Sequence, residues 1–153
     1  MSCANVQLVE FKNDNIKNRN TIRTFLDNNY PIDIDDAEWA CEDLIFLTLL
    51  YSGDIIGIAI TKPYDNNNKV HLVVIFISEE WRGKGYGTHM LKHIAKMYQD
   101  KEVTLSVDFE NTSVLHFYQD HNYAKLKEAN CDSKFIALLL CNDVLCRNQV
   151  QHE

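Results

Sequence analysis

A chain of 153 residues, 46% of them hydrophobic and only two of them proline, is sized for a single domain (1–153) with a real core and no long disordered linker. Its net charge of −7 argues against a general nucleic-acid or anionic-membrane surface, and no apolar run reaches the roughly 18 residues a membrane span needs. The opening "MSCANVQLVEFKNDN" has neither a basic start nor a long apolar stretch, so no secretory signal is expected and the chain reads as intracellular, cytoplasmic or nuclear.

Taken in order, "VQLVEF" (Val6 to Phe11) alternates like a strand. "IKNRNTIRTFLDNNYP" follows as a helix, with Ile22, Phe25 and Leu26 at i, i+3, i+4 and Pro31 past its end. "IDIDDAEWACED" is a turn with a short second helix. "LIFLTLLY" and "DIIGIAIT" are β-rich runs split by "SGD", a hairpin signal because Gly53 supplies the positive φ of a tight turn. After the polar turn "PYDNNN" comes "KVHLVVIFIS", apolar on both faces and therefore expected at the centre of its sheet. Tyr86 to Tyr98 has helical period through Met90, Leu91, Ile94, Met97 and Tyr98. "EVTLSVDF" is a strand, "NTSVLHFYQDHNY" a short helix capped by Asn111, and "YAKLKE" and "KFIALLLC" are two closing strands. The order β-α-(α)-β-β-β-α-β-α-β-β predicts an α/β (α+β) domain with a mixed sheet of about six to seven strands flanked by helices.

Five cysteines, Cys3, Cys41, Cys131, Cys141 and Cys146, match no CxxC spacing, and their odd number predicts reduced thiols. A zinc site from Cys141, Cys146 and His152 has no support in the spacing, and His89 and His93, one turn apart, lack a third ligand nearby; no metal is expected.

At the centre stands "EEWRGKGYGTHMLKH", Glu79 to His93, with three glycines in five residues between a strand and a helix. A helix N-terminus exposes unpaired N–H groups and partial positive charge, and glycines remove the Cβ atoms that would keep an anion away. Arg82 and Lys84 add charge. The spacing is neither GxxxxGK[S/T], as in a P-loop, nor the dinucleotide GxGxxG; it is Arg-x-x-Gly-x-Gly, "RGKGYG". This resembles the GNAT superfamily of acetyl-CoA-dependent N-acetyltransferases, whose Gln/Arg-x-x-Gly-x-Gly/Ala loop holds the coenzyme A pyrophosphate. The resemblance extends to "NTSVLHFYQDHNY", similar to the family's Asn…Tyr…Gly-Phe motif with Asn122-Tyr123 where Gly-aromatic is usual, and to the "YSGDIIGIAIT" hairpin. It covers about residues 5 to 141, and within the family "KGYGTHMLKH" is most similar to the nuclear histone acetyltransferase branch.

The resemblance implies that Arg82, Gly83, Lys84, Gly85, Tyr86, Gly87, Thr88 and Asn111 contact acetyl-CoA. A bulge in the strand Val70 to Ser78 would let Ile75 and Ile77 offer main-chain contacts, the Ile75 N–H being a candidate oxyanion donor. Tyr118 is the implied acid. His71 stands where the histone branch has a glutamate base; Glu79, Glu80 and ordered water are the other candidates, and Asp108 a candidate for binding the acceptor cation. Asp33, Asp35, Asp36, Glu38, Glu42 and Asp43, six carboxylates in eleven residues, favour a cationic amine acceptor, a basic peptide or small polyamine-like molecule. No nucleic-acid or membrane partner is expected, and the resemblance admits a homodimer. The expected activity is acetyl transfer to a primary amine by direct attack in a ternary complex; the alternative is an acetyl-CoA-binding module without turnover.

Overall fold

The computed structural model describes residues 6–13, 15–29, 36–108, 110–126 and 135–141. Among the described residues, seven strands and four α-helices follow the predicted order. They are β1 (Val6–Lys12), α1 (Ile16–Asn29), α2 (Asp36–Trp39), β2 (Ile45–Tyr51), β3 (Asp54–Tyr64), β4 (Lys69–Ile77), α3 (Tyr86–Met97), β5 (Glu102–Asp108), α4 (Thr112–Gln119), β6 (Tyr123–Lys125) and β7 (Phe135–Leu140). The strand order is β1-β2-β3-β4-β5-β7-β6, so the apolar strand β4 is central, as its two-faced pattern requires. The pairing of β4 with β5 is parallel, whereas β1–β2, β2–β3, β5–β7 and β6–β7 are antiparallel, which makes the sheet mixed.

The chain divides into two units, the first holding the residues up to Pro63 together with Leu72–Met90. Here β2 and β3 form the expected hairpin. Ser52 and Gly53 both have positive φ, 51° and 87°, the signature of a type I′ turn whose twist matches the strands. Asn15 caps α1, its side-chain oxygen accepting from the N–H groups of Lys17 and Asn18. Ile22 and Leu26 from α1 then bury against Trp39, Leu44, Phe46, Ile58, Ile60 and Val74. Full burial of each such side chain is worth about 1.5–3 kcal/mol.

Among the polar residues buried in this unit (Asn13, Thr48, Thr61 and Ser78), Asn13 makes the most side-chain bonds. Asn13 is 1% exposed, and its amide nitrogen donates to the carbonyls of Trp39 and Cys41, each at 2.7 Å. Its oxygen accepts from Arg19 Nε at 2.9 Å, so the end of β1 is tied to α1 and to the exit of α2.

The second unit holds Tyr64–His71 and the residues from Leu91 onward. Its turn runs through Asp65, Asn66 and Asn67, all with positive φ, a conformation Asn and Asp tolerate best after glycine. Lys101 Nζ donates to the carbonyl of Asn67 and fixes that turn to the start of β5. From there Lys69, Val70 and His71 pair with Glu102, Val103 and Thr104. The polypeptide then places β7 between β5 and β6, with Thr104 opposite Leu139 and Tyr123 opposite Leu140. Cys141, directly after β7, is disulfide-bonded, which corrects the expectation of a reduced thiol there. Cysteine parity carries no information about which sulfurs a fold brings to bonding distance. Cys41 is free; Cys3, Cys131, Cys146 and His152 lie outside the described residues.

Candidate active site: the glycine turn and the motif helix

β4 ends at Ile77 and the chain makes a single 3-10 turn, Glu79–Trp81, before reaching the glycines. Ser78 anchors the exit, its N–H donating to the Ile56 carbonyl at 2.8 Å. Gly83 and Gly85 then take φ of +75° and +87°, with Lys84 between them outside that region. Alternation of this kind turns successive N–H groups towards one side and makes a concavity for anions. A Cβ at Gly83 or Gly85 would meet nothing within 4 Å, so glycine is needed there for its backbone conformation and leaves the loop open on that side. Gly87 differs. It lies within the first turn of α3, whose first i→i−4 bond runs from His89 N–H to the Gly85 carbonyl at 3.0 Å. Tyr86 and Gly87 therefore offer N–H groups ahead of the helical ladder, at the positive end of the helix dipole.

The cations behave differently from a mobile cloud. Arg82 is pinned: its Nε donates to the Ile77 carbonyl at 2.8 Å and its guanidinium carbon stands 5.1 Å from the Phe76 ring centre. The Ile77 carbonyl thus accepts from Arg82. Lys84 Nζ lies 5.5 Å from the Trp81 ring centre. Trp81 in turn packs between Tyr51, at 4.8 Å between ring centres, and Tyr86, at 6.0 Å. The turn thus rests on an aromatic trio that links the end of β2 to the start of α3. The tryptophan next to Arg82 in "EEWRG" was the available signal for it.

β4 comes past β3 at Gly57, where a Cβ would stand 2.8 Å from Ile77 Cδ1 and 3.2 Å from the Phe76 carbonyl oxygen. A methyl there would turn the Ile77 side chain aside and press on the Phe76 carbonyl, so glycine favours the close approach of the end of β4. Ile75 and Ile77 are both half-buried. The register irregularity between β2 and β3 falls at Leu49/Leu50.

In the second unit, α4 is capped by Asn111, whose side-chain oxygen accepts from Val114 N–H. Asn122 has φ of +73°, the left-handed helix end expected at the glycine position of the motif, and its carbonyl accepts from Cys141 N–H at 2.8 Å. Tyr118 is 7% exposed, with Phe117 and Tyr123 against its ring at 5.4 and 5.6 Å between centres. His71 is half-buried, with Nδ1 3.5 Å from Thr104 Oγ1, which itself lies 3.3 Å from the Tyr64 hydroxyl. Both contacts are long for hydrogen bonds. Asp108 accepts from Glu110 N–H, and Glu79 and Glu80 are exposed. His89 is exposed and His93 half-buried; among the described residues no three His, Cys, Asp or Glu side chains are grouped to hold a metal. Of the acidic segment, Glu42 and Asp43 are exposed, Asp36 and Glu38 belong to α2, and Asp33 and Asp35 lie outside the described residues. No helix among the described residues is long and apolar enough to cross a membrane.

Residues 14–123 match the acetyltransferase (GNAT) family, a span that takes in both the glycine turn and the motif helix. The chain belongs to the GNAT family. A spermine/spermidine N(1)-acetyltransferase of Bacillus subtilis (strain 168) is 38% identical to this GNAT chain over 81 residues, 46% of this chain and 53% of that protein. The chain spans about half the length of the curated Bacillus relatives it matches. Among solved structures, an acyl-CoA N-acyltransferase from Pseudomonas aeruginosa superposes with a TM-score of 0.70 at 14% identity, covering 89% of this chain and 99% of that one. PaiA N-acetyltransferase from Thermoplasma acidophilum, in complex with coenzyme A, gives 0.62 at 14% identity over 88% and 97%. At such identities the likeness carries the GNAT fold alone.

Proposed function

We propose that residues 1–153 act as one acetyl-CoA-dependent N-acetyltransferase domain whose acceptor is a cationic primary amine, polyamine-like or a protein lysine. The observation that carries this reading is the pair Gly83 and Gly85, both in the left-handed region immediately before α3. Main-chain groups between Arg82 and Thr88, that is Arg82, Gly83, Lys84, Gly85, Tyr86, Gly87 and Thr88, would hold the diphosphate of the donor. Ile75 and Ile77 would pair with its pantetheine arm through their backbones, and Asn111 would contact it at the head of α4.

An alkylamine titrates near 10.4, so it arrives charged and must lose a proton before attack. We assign that proton to His71, directly or through water. The neutral nitrogen attacks the thioester carbonyl carbon; the N–C bond forms, and the C–S bond breaks once the oxyanion, stabilised by the Ile75 N–H, collapses. The leaving thiolate takes the proton of the Tyr118 phenol, and the second proton of the acylated nitrogen passes through solvent to restore the phenol as the neutral acetamide forms. The products are the acetamide and free coenzyme A thiol. The exposed carboxylates Glu42 and Asp43, with the other acidic residues of 33–38, support a cationic acceptor, as does the activity named for the Bacillus relative.

Calorimetric titration with coenzyme A and thiol release with a polyamine, a basic peptide and a neutral amino acid test this. Binding with amine-stimulated release is expected, the polyamine or peptide being preferred. Absence of coenzyme A binding by folded protein overturns the reading. Binding without release by any amine would leave the module without turnover, which the histidine at position 71 favours.

A further inference from the structure

The two faces of β5 differ. Val103, Leu105 and Val107 point one way and are buried, while Glu102, Thr104, Ser106 and Asp108 point the other. Ser106 is exposed in the middle of the strand and Thr104 and Asp108 are half-buried, so this face is open to solvent along the second half of β5. β7 runs beside it in antiparallel register, with Leu139 opposite Thr104, Ala137 opposite Ser106 and Phe135 opposite Asp108. Residues directly opposite one another share a face. Exposure rises along that row, from Leu139 at 3% through half-buried Ala137 to Phe135 at 53%.

This open strip begins at the residue assigned as base. His71 is in register with Thr104 across the β4–β5 pairing, and the 3.5 Å approach of Nδ1 to Oγ1 puts both side chains on the same face. Glu102, further back along the row, is matched by Lys69 at 3.6 Å. At the far end the Asp108 carboxylate is steadied by Glu110 N–H, which donates to Oδ1 at 3.0 Å, and the exposed Glu110 adds negative charge nearby. An ammonium at that end would have a carboxylate on one side and an aromatic ring on the other. From Thr104 to Asp108 the strand advances about 13 Å at its usual rise, a reach that an extended triamine has and a short diamine lacks. Between the ends stand the small side chains of Ser106 and Ala137, which suit a bare aliphatic chain. A peptide laid there would cover its amides with a methyl and a phenyl ring.

We infer that this strip of β5 and β7 is the acceptor subsite, with Asp108 and Phe135 receiving the distal ammonium of an unbranched polyamine whose other end loses its proton at His71. The inference rests on the acetyltransferase reading above and narrows the acceptor from a cationic amine in general to a long polyamine. Every residue it uses lies in the second unit. Such a subsite reads the charge that stays on the acceptor and not the one lost at the reacting nitrogen, so it selects the substrate without hindering the attack.

The test is steady-state thiol release with spermidine, putrescine, butylamine and a basic peptide as acceptors, for wild type, Asp108→Asn and Ser106→Lys. Wild type should prefer spermidine over butylamine in kcat/KM by about tenfold, with putrescine near butylamine because it is too short to span the strip. Asp108→Asn keeps the oxygen that accepts from Glu110 N–H but loses the charge, and should cut that preference about three- to tenfold, mainly through KM for spermidine. Ser106→Lys, at an exposed position, sets a cation in the middle of the strip and should cut the preference by a similar factor; added salt should shrink the wild-type preference too. An unchanged preference in folded Asp108→Asn overturns the inference, and if that variant does not fold, an unchanged preference in Ser106→Lys does so. Wild type that uses butylamine or the peptide as well as it uses spermidine also overturns it, and leaves the acetyltransferase reading standing. Wild type that binds no acetyl-CoA, or turns over none of the amines, sinks that reading and this inference with it.

Discussion

The glycine turn can be tested by separating charge from strain at one position. Gly85 has φ of +87° with open space where a Cβ would go, and Gly53 in the β2–β3 hairpin has the same φ and the same open space. Backbone strain from a side chain should be alike at the two sites. Asparagine and aspartate tolerate the left-handed region better than other residues and are isosteric, so Gly85→Asn and Gly85→Asp differ by one charge. If main-chain amides around Gly85 hold a diphosphate, the aspartate lies about 5 Å from at least one negative charge. At an effective dielectric of 20 to 80 the repulsion is about 1–3 kcal/mol, or roughly 5- to 150-fold in affinity. Gly85→Asp should therefore bind coenzyme A that much more weakly than Gly85→Asn, and the gap should narrow in high salt because the groups are near solvent. Gly53→Asp and Gly53→Asn should bind alike. Calorimetry reads affinity, and thermal melting should show similar losses at both positions. Equal affinity of the two Gly85 variants at low salt would refute the cradle, since no anion bound against that amide can ignore the added charge.

Four further outcomes follow from individual contacts. Tyr118→Phe, which keeps the ring between Phe117 and Tyr123, should lower kcat about 100-fold or more with a smaller change in KM, measured by thiol release. Asn13→Ala strands the carbonyls of Trp39 and Cys41 and the Arg19 guanidinium, and should cost about 3 kcal/mol in urea denaturation with an unchanged m-value. Gly57→Ala presses a methyl on Ile77 and the Phe76 carbonyl and should destabilise by about 1–3 kcal/mol while raising KM for the donor more than it lowers kcat. Burial raises the phenol pKa of Tyr123 and so fixes a sign at alkaline pH. The unfolded chain gives up that proton first, so stability holds below about pH 10 and falls as pH rises past it. Urea midpoints in that range should fall less steeply for Tyr123→Phe.

Much of the fold was legible because local rules decide it. The "SGD" turn needs two positive φ values and has them at Ser52 and Gly53. The two-faced apolar run of β4 requires cover on both sides, and the strand is central. Asn122, in the place of a motif glycine, takes the one unusual conformation asparagine tolerates. What local rules do not decide is long-range pairing. Nothing in "KFIALLLC" says that it slips between β5 and β6, because an apolar strand of that length satisfies any partner with a matching face. Asn13, in the polar stretch "FKNDN", carries no local sign of burial; that it is buried and holds two carbonyls depends on residues 26 and 28 positions away.

The site divides along the same line. Glycine's role is conformational and local, so spacing alone predicted an anion turn and the structure has the required φ values at Gly83 and Gly85. Charge is not local in this sense. A count of Arg82 and Lys84 describes a basic loop, whereas one cation is locked to the Ile77 carbonyl and the Phe76 ring and the other lies over Trp81. A guanidinium held in that way stiffens the end of β4 more than it offers free charge, and under the proposed function the backbone would be the main recognition element. That shifts the expected consequence of Arg82→Lys. A lysine keeps the charge but cannot reproduce the Nε bond and the planar stack together, so the loss should appear as a looser turn, with weaker coenzyme A binding that added salt does not mimic.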